Sequence, residues 1–226
     1  MIRDLQQNRK KERGASLLEF AIAATVFLTI FLVELPDKTF IATLVLATRY
    51  RPLLVWIGVT AAFLVQTVVA VVFGGLISRL PETPVHILVA VLFLVAGILL
   101  IRGASQADAE EAETEEEFAA KAAVDAPGWH AVTTSFVILF LAEWGDLSQL
   151  ATAGFVARRG EPVSVGIGAF LALAIVSALG ALIGRALLKR LRLAVIRRIG
   201  GGICLFFALL LALDLLGVEL PSWLPV

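Results

Sequence analysis

The chain has 226 residues, 59% of them hydrophobic and only 17% charged, and its 19 basic and 19 acidic residues give a formal net charge of zero. A mean hydropathy of +0.93 lies well outside the range of soluble globular domains and predicts an integral membrane protein. Nucleic-acid binding is excluded, because the basic residues stand at the ends of apolar segments as interface anchors. The lone cysteine, Cys204, excludes an intramolecular disulfide.

Residues 1–15 form a basic extension. Its Arg9-Lys-Lys-Glu-Arg run, with Gly14 five residues ahead of Glu19, resembles a type IV prepilin leader. A pilin has one apolar helix where this chain has six, so an interfacial anchor or an upstream start codon is the better reading.

A spanning helix needs roughly 20 mostly apolar residues. Segments 16–47, 53–78, 84–102, 130–156, 163–189 and 195–217 approximately meet that need. Arg49-Tyr-Arg-Pro52, Arg79 to Pro84, Arg158 to Pro162 and the basic stretch near Arg190 combine charge with Pro or Gly, or with further charge, as turns do. The connection 103–129 differs. It carries Glu110, Glu111, Glu113, Glu115, Glu116 and Glu117 and few large apolar residues, which predicts a solvated, partly helical tether with nothing to bury. A cation-gathering antechamber is the sharper alternative. Residues 218–226 form a short tail.

A shift of 109 positions superimposes Phe31, Leu32, Glu34, Asp37, Ala42, Thr43 and Arg49 on Phe140, Leu141, Glu143, Asp146, Ala151, Thr152 and Arg158. After one inserted residue, Ile57-Gly58 meets Ile167-Gly168. The halves are therefore 16–102 and 130–217, each with three predicted spans. An odd number of spans turns the second half over, so the fold class expected is an all-α membrane protein of six transmembrane helices in two inverted three-helix repeats. Transporters of that plan hold substrate near the midplane, at the repeat interface and on interrupted helices. Lys and Arg counts do not orient it: ten lie on the side of the acidic loop and eight on the other.

Ionisable groups inside spans cost about 2.5–3.5 kcal/mol each on insertion scales and usually mark an ion or substrate path. Glu34 and Asp37 are three apart, as are Glu143 and Asp146, which predicts one helical face for each pair. Four carboxylates suit a hard divalent cation such as Ca²⁺, Mg²⁺ or Mn²⁺. Thr39, Thr43, Ser148, Gln149 and Thr152 add neutral oxygens nearby. His86 and His130 sit at segment ends and Cys204 is remote, which argues against a zinc or copper site. Four acids with Lys38 sum to about −3, and carboxylates crowded out of water favour a proton on one of them. Exchange of metal against protons follows as an expectation.

The motifs differ in two places. Glu34 and Lys38 stand four apart in the order that favours a helical ion pair, whereas Leu147 takes the place of Lys38 in the second copy and leaves its acids without a partner. Pro36 takes the place of Gly145, which predicts a kink and a freed carbonyl at Leu32.

At these residues the chain resembles the GDT-type family, the transmembrane protein 165 group of manganese and calcium transporters, whose pattern is two copies of E-x-G-D-[KR]-[TS]. Here they read Glu34-Leu-Pro-Asp-Lys-Thr39 and Glu143-Trp-Gly-Asp-Leu-Ser148. The likeness spans roughly residues 28–217. It implies export of Mn²⁺ or Ca²⁺ from the cytosol against H⁺, with no resident cofactor, by a multi-pass protein of the cell (inner) membrane with a cytoplasmic acidic loop. The metal ligands expected are Glu34, Asp37, Thr39, Glu143, Asp146, Ser148 and Gln149, with Lys38 compensating charge. The cation, protons and the bilayer are the partners. Pro36 and Leu147 depart from the pattern, and losing the second cation is expected to raise affinity for positive charge and slow release.

Two alternatives come from other classes. A membrane-embedded acid-dyad enzyme needs two carboxylates sharing a proton, but each half has a full pair plus hydroxyls and no nucleophile motif. An exporter of small organic cations or amino acids would stack its substrate on Phe40, Phe140 and Trp144.

Overall fold

The computed structural model describes residues 2–35, 37–122, 128–188 and 193–218, and all its regular structure is helical. The helices are α1 (Ile2–Glu34), α2 (Lys38–Arg49), α3 (Pro52–Ile77), α4 (Glu82–Gly103), α5 (Ala107–Lys121), α6 (Trp129–Ala142), α7 (Leu147–Arg159), α8 (Pro162–Leu188) and α9 (Leu193–Leu215). Pro52 and Pro162 open α3 and α8, where the missing N–H would have lacked a helical partner anyway.

Among the described residues five helices are long and apolar enough to cross a bilayer: 16–34 within α1, α3, α4, α8 and α9. Helices α6 and α7 together pass the same test but bend by 70° at their junction, as a broken sixth span or a re-entrant loop does. The predicted spans 16–47 and 130–156 are thus each two helices. Their breaks, at Leu35–Asp37 and Glu143–Asp146, fall on the acidic motifs.

Packing is exchanged between the halves. Helix α1 lies on α8 as α6 lies on α3, α2 packs on α8 as α7 does on α3, and α3 with α8 and α4 with α9 form the shared seams. Close approach occurs at matched positions. A Cβ on Gly58 would collide with the Val132 carbonyl oxygen, and one on Gly168 with that of Ala23. With no hydrophobic drive between helices in lipid, such small-residue contacts supply the packing. Helix α3 shows the resulting stripe, buried at Val55, Gly58, Val59, Ala62, Phe63, Gln66, Thr67, Ala70 and Gly74. Its other face presents Leu64, Val68, Val72 and Phe73 outward, as acyl chains require.

The acidic connection departs from expectation. Residues 107–121 are helical, and α5 packs against α2 and α9. Phe118 is only 2% exposed. This one buried aromatic anchors a helix whose Glu113, Glu115, Glu116 and Glu117 are exposed, so the segment is docked rather than a solvated tether.

Candidate functional site

The two motifs form the helix breaks. Helix α1 ends at Glu34, the Asp37 N–H donates to the Glu34 carbonyl (3.0 Å), and Asp37 in extended conformation caps α2. In the second half α6 ends at Ala142, the Asp146 N–H donates to the Glu143 carbonyl (3.2 Å), and the Asp146 carboxylate accepts from the Ser148 N–H at 3.5 Å to cap α7. Gly145 makes this turn with φ +77°, a left-handed conformation that a side chain disfavours. The expectation that each acid pair shares one helical face is corrected: each pair straddles a break. The kink predicted at Pro36 lies outside the described residues.

Breaking a helix inside a membrane frees carbonyls at one end and N–H groups at the other. The first set is braced by side chains. Lys38 Nζ donates to the Ala142 carbonyl at 3.1 Å, and Gln66 Nε2 to the Phe140 carbonyl at 3.0 Å. Gln149 Nε2 donates to the Gln66 carbonyl at 3.4 Å, and its Oε1 accepts the Gly145 N–H at 2.8 Å. Both ends of Gln149 are thereby engaged in holding the turn. Gln66 escaped the sequence reading because a single Gln in an apolar run gives no spacing signal.

The breaks bring acids of both halves together. One carboxylate oxygen each from Glu34, Asp37 and Asp146 lie within 4.8 Å of one another, close enough for a single ion of 2.3–2.6 Å bond length to touch all three. Glu143 faces the same centre with its carboxylate 3.9 Å from Lys38. Glu34 is fully buried and Glu143 only 3% exposed. The partners are crossed: Ser148 of the second motif faces Glu34, and Thr39 of the first faces Glu143. Neither glutamate closes a hydrogen bond within the described residues, and neither does the Thr39 hydroxyl. Buried polar groups without partners are rare and point to a ligand or a functional strain. The hydroxyls of Thr43 and Thr152 donate back to Thr39 and Ser148 carbonyls at 2.8 and 2.7 Å, a matched pair one turn deeper.

Lys38 corrects a second expectation. It starts α2 beyond the break, so it does not pair with Glu34 along one helix. Its Nζ stands 3.6 Å from Asp146 and 3.9 Å from Glu143. The acids that Leu147 leaves uncompensated in sequence are compensated from the other half.

A cavity of about 540 Å³ runs from this cluster toward the end of α4 and the start of α5, with Asp37, Asp146, Leu147, Gly103, Glu110 and Arg197 on its walls. Outside the lining of this cavity, Phe93, Phe155 and Phe207 of α4, α7 and α9 pack on one another, with ring centroids 5.3–5.8 Å apart. Beyond these rings Asp214 takes Arg158 at 3.0 Å and His86 at 3.7 Å. The histidines therefore sit at helix ends, and Cys204 lines a small apolar pocket with Phe93 and Leu147. Among the described residues no His or Cys joins the acidic group. The stacking residues of the organic-cation alternative do not form a cage, since Trp144 is 57% exposed while Phe40 is buried in the core.

Comparison with known proteins agrees with this arrangement. The family model for the divalent cation/proton antiporter GDT1 matches residues 22–108 and again 131–218. A GDT1-like protein of Synechocystis is 32% identical over 77% of this chain and 88% of its own length. GDT1-like protein 1, chloroplastic, of japonica rice is 30% identical over 82% of this chain, and PAM71, chloroplastic, of Arabidopsis thaliana is 30% identical over 82%. This chain spans 60% and 55% of the length of those two plant proteins. No solved structure matches. A duplicated acidic motif at paired helix breaks, in a chain that the model matches twice, leads to one conclusion: the chain belongs to the GDT1 family of divalent cation/proton antiporters, which are membrane transporters and not enzymes.

Proposed function

We infer that the protein exports Mn²⁺, or Ca²⁺, across the cell membrane in exchange for H⁺, through a single site shared by two inverted repeats. The observation that carries this is the meeting of Glu34, Asp37 and Asp146 oxygens within 4.8 Å, from opposite halves. Two opposed helix breaks, three spans per half and exchanged packing support the inverted arrangement. Helix ends suit the task, because α1 and α6 direct their carbonyl ends, carrying about half a negative charge, toward a cation.

In this mechanism a cation enters from the side of α5 through the cavity and is held by Glu34, Asp37 and Asp146, with Glu143, Thr39 and Ser148 completing the oxygen set. Lys38 holds the acids at a net charge a divalent ion can nearly neutralise. Protons on the same carboxylates replace the ion on the return step, so loss of one cargo requires the other. Rocking of α4, α7 and α9 parts the Phe93, Phe155 and Phe207 rings and opens the far side. The site is open to one face at a time.

The test is purified protein in liposomes carrying a pH-sensitive dye. A Mn²⁺ gradient is expected to drive proton movement in the opposite sense, and lower pH to raise the apparent KM for Mn²⁺. Metal flux that leaves an imposed pH gradient intact overturns the coupling, and absence of metal flux overturns the reading.

A further inference from the structure

The mouth of the cavity carries charges that the ligand set does not use. Arg197, on α9, has its side chain 10% exposed, and its Nη1 donates to the Gly103 carbonyl at 3.1 Å. The same nitrogen pairs with Glu110 of α5. Arg102 lines the rim as well. Arg197 and Asp37 line the same cavity. A fixed cation on the wall of the cavity that leads to a metal site repels the cargo. Glu110 cancels that repulsion.

We propose that Glu110 and Arg197 form an exchangeable latch over the site, in which an arriving divalent cation replaces Arg197 as the partner of Glu110 before passing to Asp37 and Asp146. This rests on the transport reading above. The docked α5 gives the latch its leverage: Phe118 buries one end of the helix, and the Glu110 pair ties the other to α9. Glu110, 44% exposed in its side chain, is reachable by an ion from outside, whereas Arg197 is not. Swapping partners releases α9 from α5 and Gly103, which lets α9 move while metal is aboard. Loading and movement are thereby linked in one contact.

The experiment is Mn²⁺ flux in right-side-out and inside-out vesicles, with KM as readout because it does not depend on the folded fraction. Glu110→Gln leaves Arg197 and Arg102 uncompensated and is expected to raise KM from the α5 side about tenfold. KM from the opposite face stays within about twofold, while the maximal rate changes, because α9 is no longer tied to α5. Arg197→Gln lowers KM from the α5 side, and the double substitution returns it to near wild type. An unchanged KM in Glu110→Gln, or a double variant no better than the single, overturns the latch. Asp146→Asn separates the two failures. If wild type carries Mn²⁺ and Asp146→Asn does not, a flat Glu110→Gln result removes the latch alone; if wild type carries none, the transport reading itself falls.

Discussion

Lys38 Nζ stands 3.6 Å from the Asp146 carboxylate and reaches it from the opposite half of the molecule. One lysine therefore sets the charge of a site built by two motifs. Removing it leaves the four acids with Arg197, at the cavity mouth and paired with Glu110, as their nearest fixed cation. Lys38→Ala is expected to lower the apparent KM for Mn²⁺ about tenfold and to slow turnover by a similar factor, since an ion held more tightly leaves more slowly. Flux kinetics check this, and a variant with both parameters unchanged would remove Lys38 from the charge account.

Leu147 occupies the matching position and lines the same cavity as Asp146. Leu147→Arg introduces a second cation, which by the same exchange of halves reaches toward Glu34 and Asp37. The expected result is a KM raised about tenfold, faster release, and weaker dependence on pH. Adding Lys38→Leu to it should return KM toward wild type. Unaltered transport and pH dependence in Leu147→Arg would show that the missing cation is irrelevant.

Glu34 and Glu143 are buried without hydrogen-bond partners among the described residues. The proposed transport role, and not stability, accounts for such a placement. Their neutral isosteres should stabilise the protein while abolishing transport: Glu34→Gln or Glu143→Gln removes a desolvated charge and should gain about 1–3 kcal/mol. Thermal melting in detergent measures the gain, and liposome flux the loss. A melting temperature that falls in both variants would mean that these carboxylates are structural.

The turn at Gly145 tests the break itself. At φ +77° alanine is strained by about 1–2 kcal/mol, yet a Cβ there would meet nothing within 4 Å. Backbone strain is then the whole effect. Gly145→Ala is expected to lower stability by that amount and to cut transport more than tenfold, because Asp146 and the Gln149 brace shift together. Gly145→Asn, which tolerates the left-handed region better, should fall between the two.

Much of this was legible in the sequence. The 109-residue shift paired Glu34 with Glu143 and Asp37 with Asp146 before any geometry, and the apolar segments located the five long spans and the bent pair of α6 and α7. The breaks were hidden because hydropathy averages over a window: Glu-Trp-Gly-Asp is too short to interrupt an apolar stretch of 27 residues from 130 to 156. The Lys38 partner was missed for a related reason, since the four-residue spacing rule holds only while the helix continues. Composition outweighed position in the acidic connection, where one phenylalanine at 118 docks a helix that its glutamates made to look free. Gln66 and Arg197 act through contacts 74 and 94 residues away, which no local pattern encodes.

The far side of the path gives the last prediction. Phe93 is 4% exposed and touches both Phe155 and Phe207, with centroids 5.3 and 5.5 Å away. In the transport cycle proposed above these three helices separate for the ion to leave, which makes the rings the expected seal, with no polar group to offer an ion. Phe93→Ala opens a cavity in that seal and should cost about 3–5 kcal/mol in stability. More telling is the expected loss of coupling: Mn²⁺ should move down its gradient without matching proton flux, because the two faces become connected. Phe93→Leu keeps most of the apolar volume and should remain coupled, which separates sealing from mere destabilisation. Full coupling in the alanine variant would place the closure elsewhere, at the Arg158 and Asp214 pair.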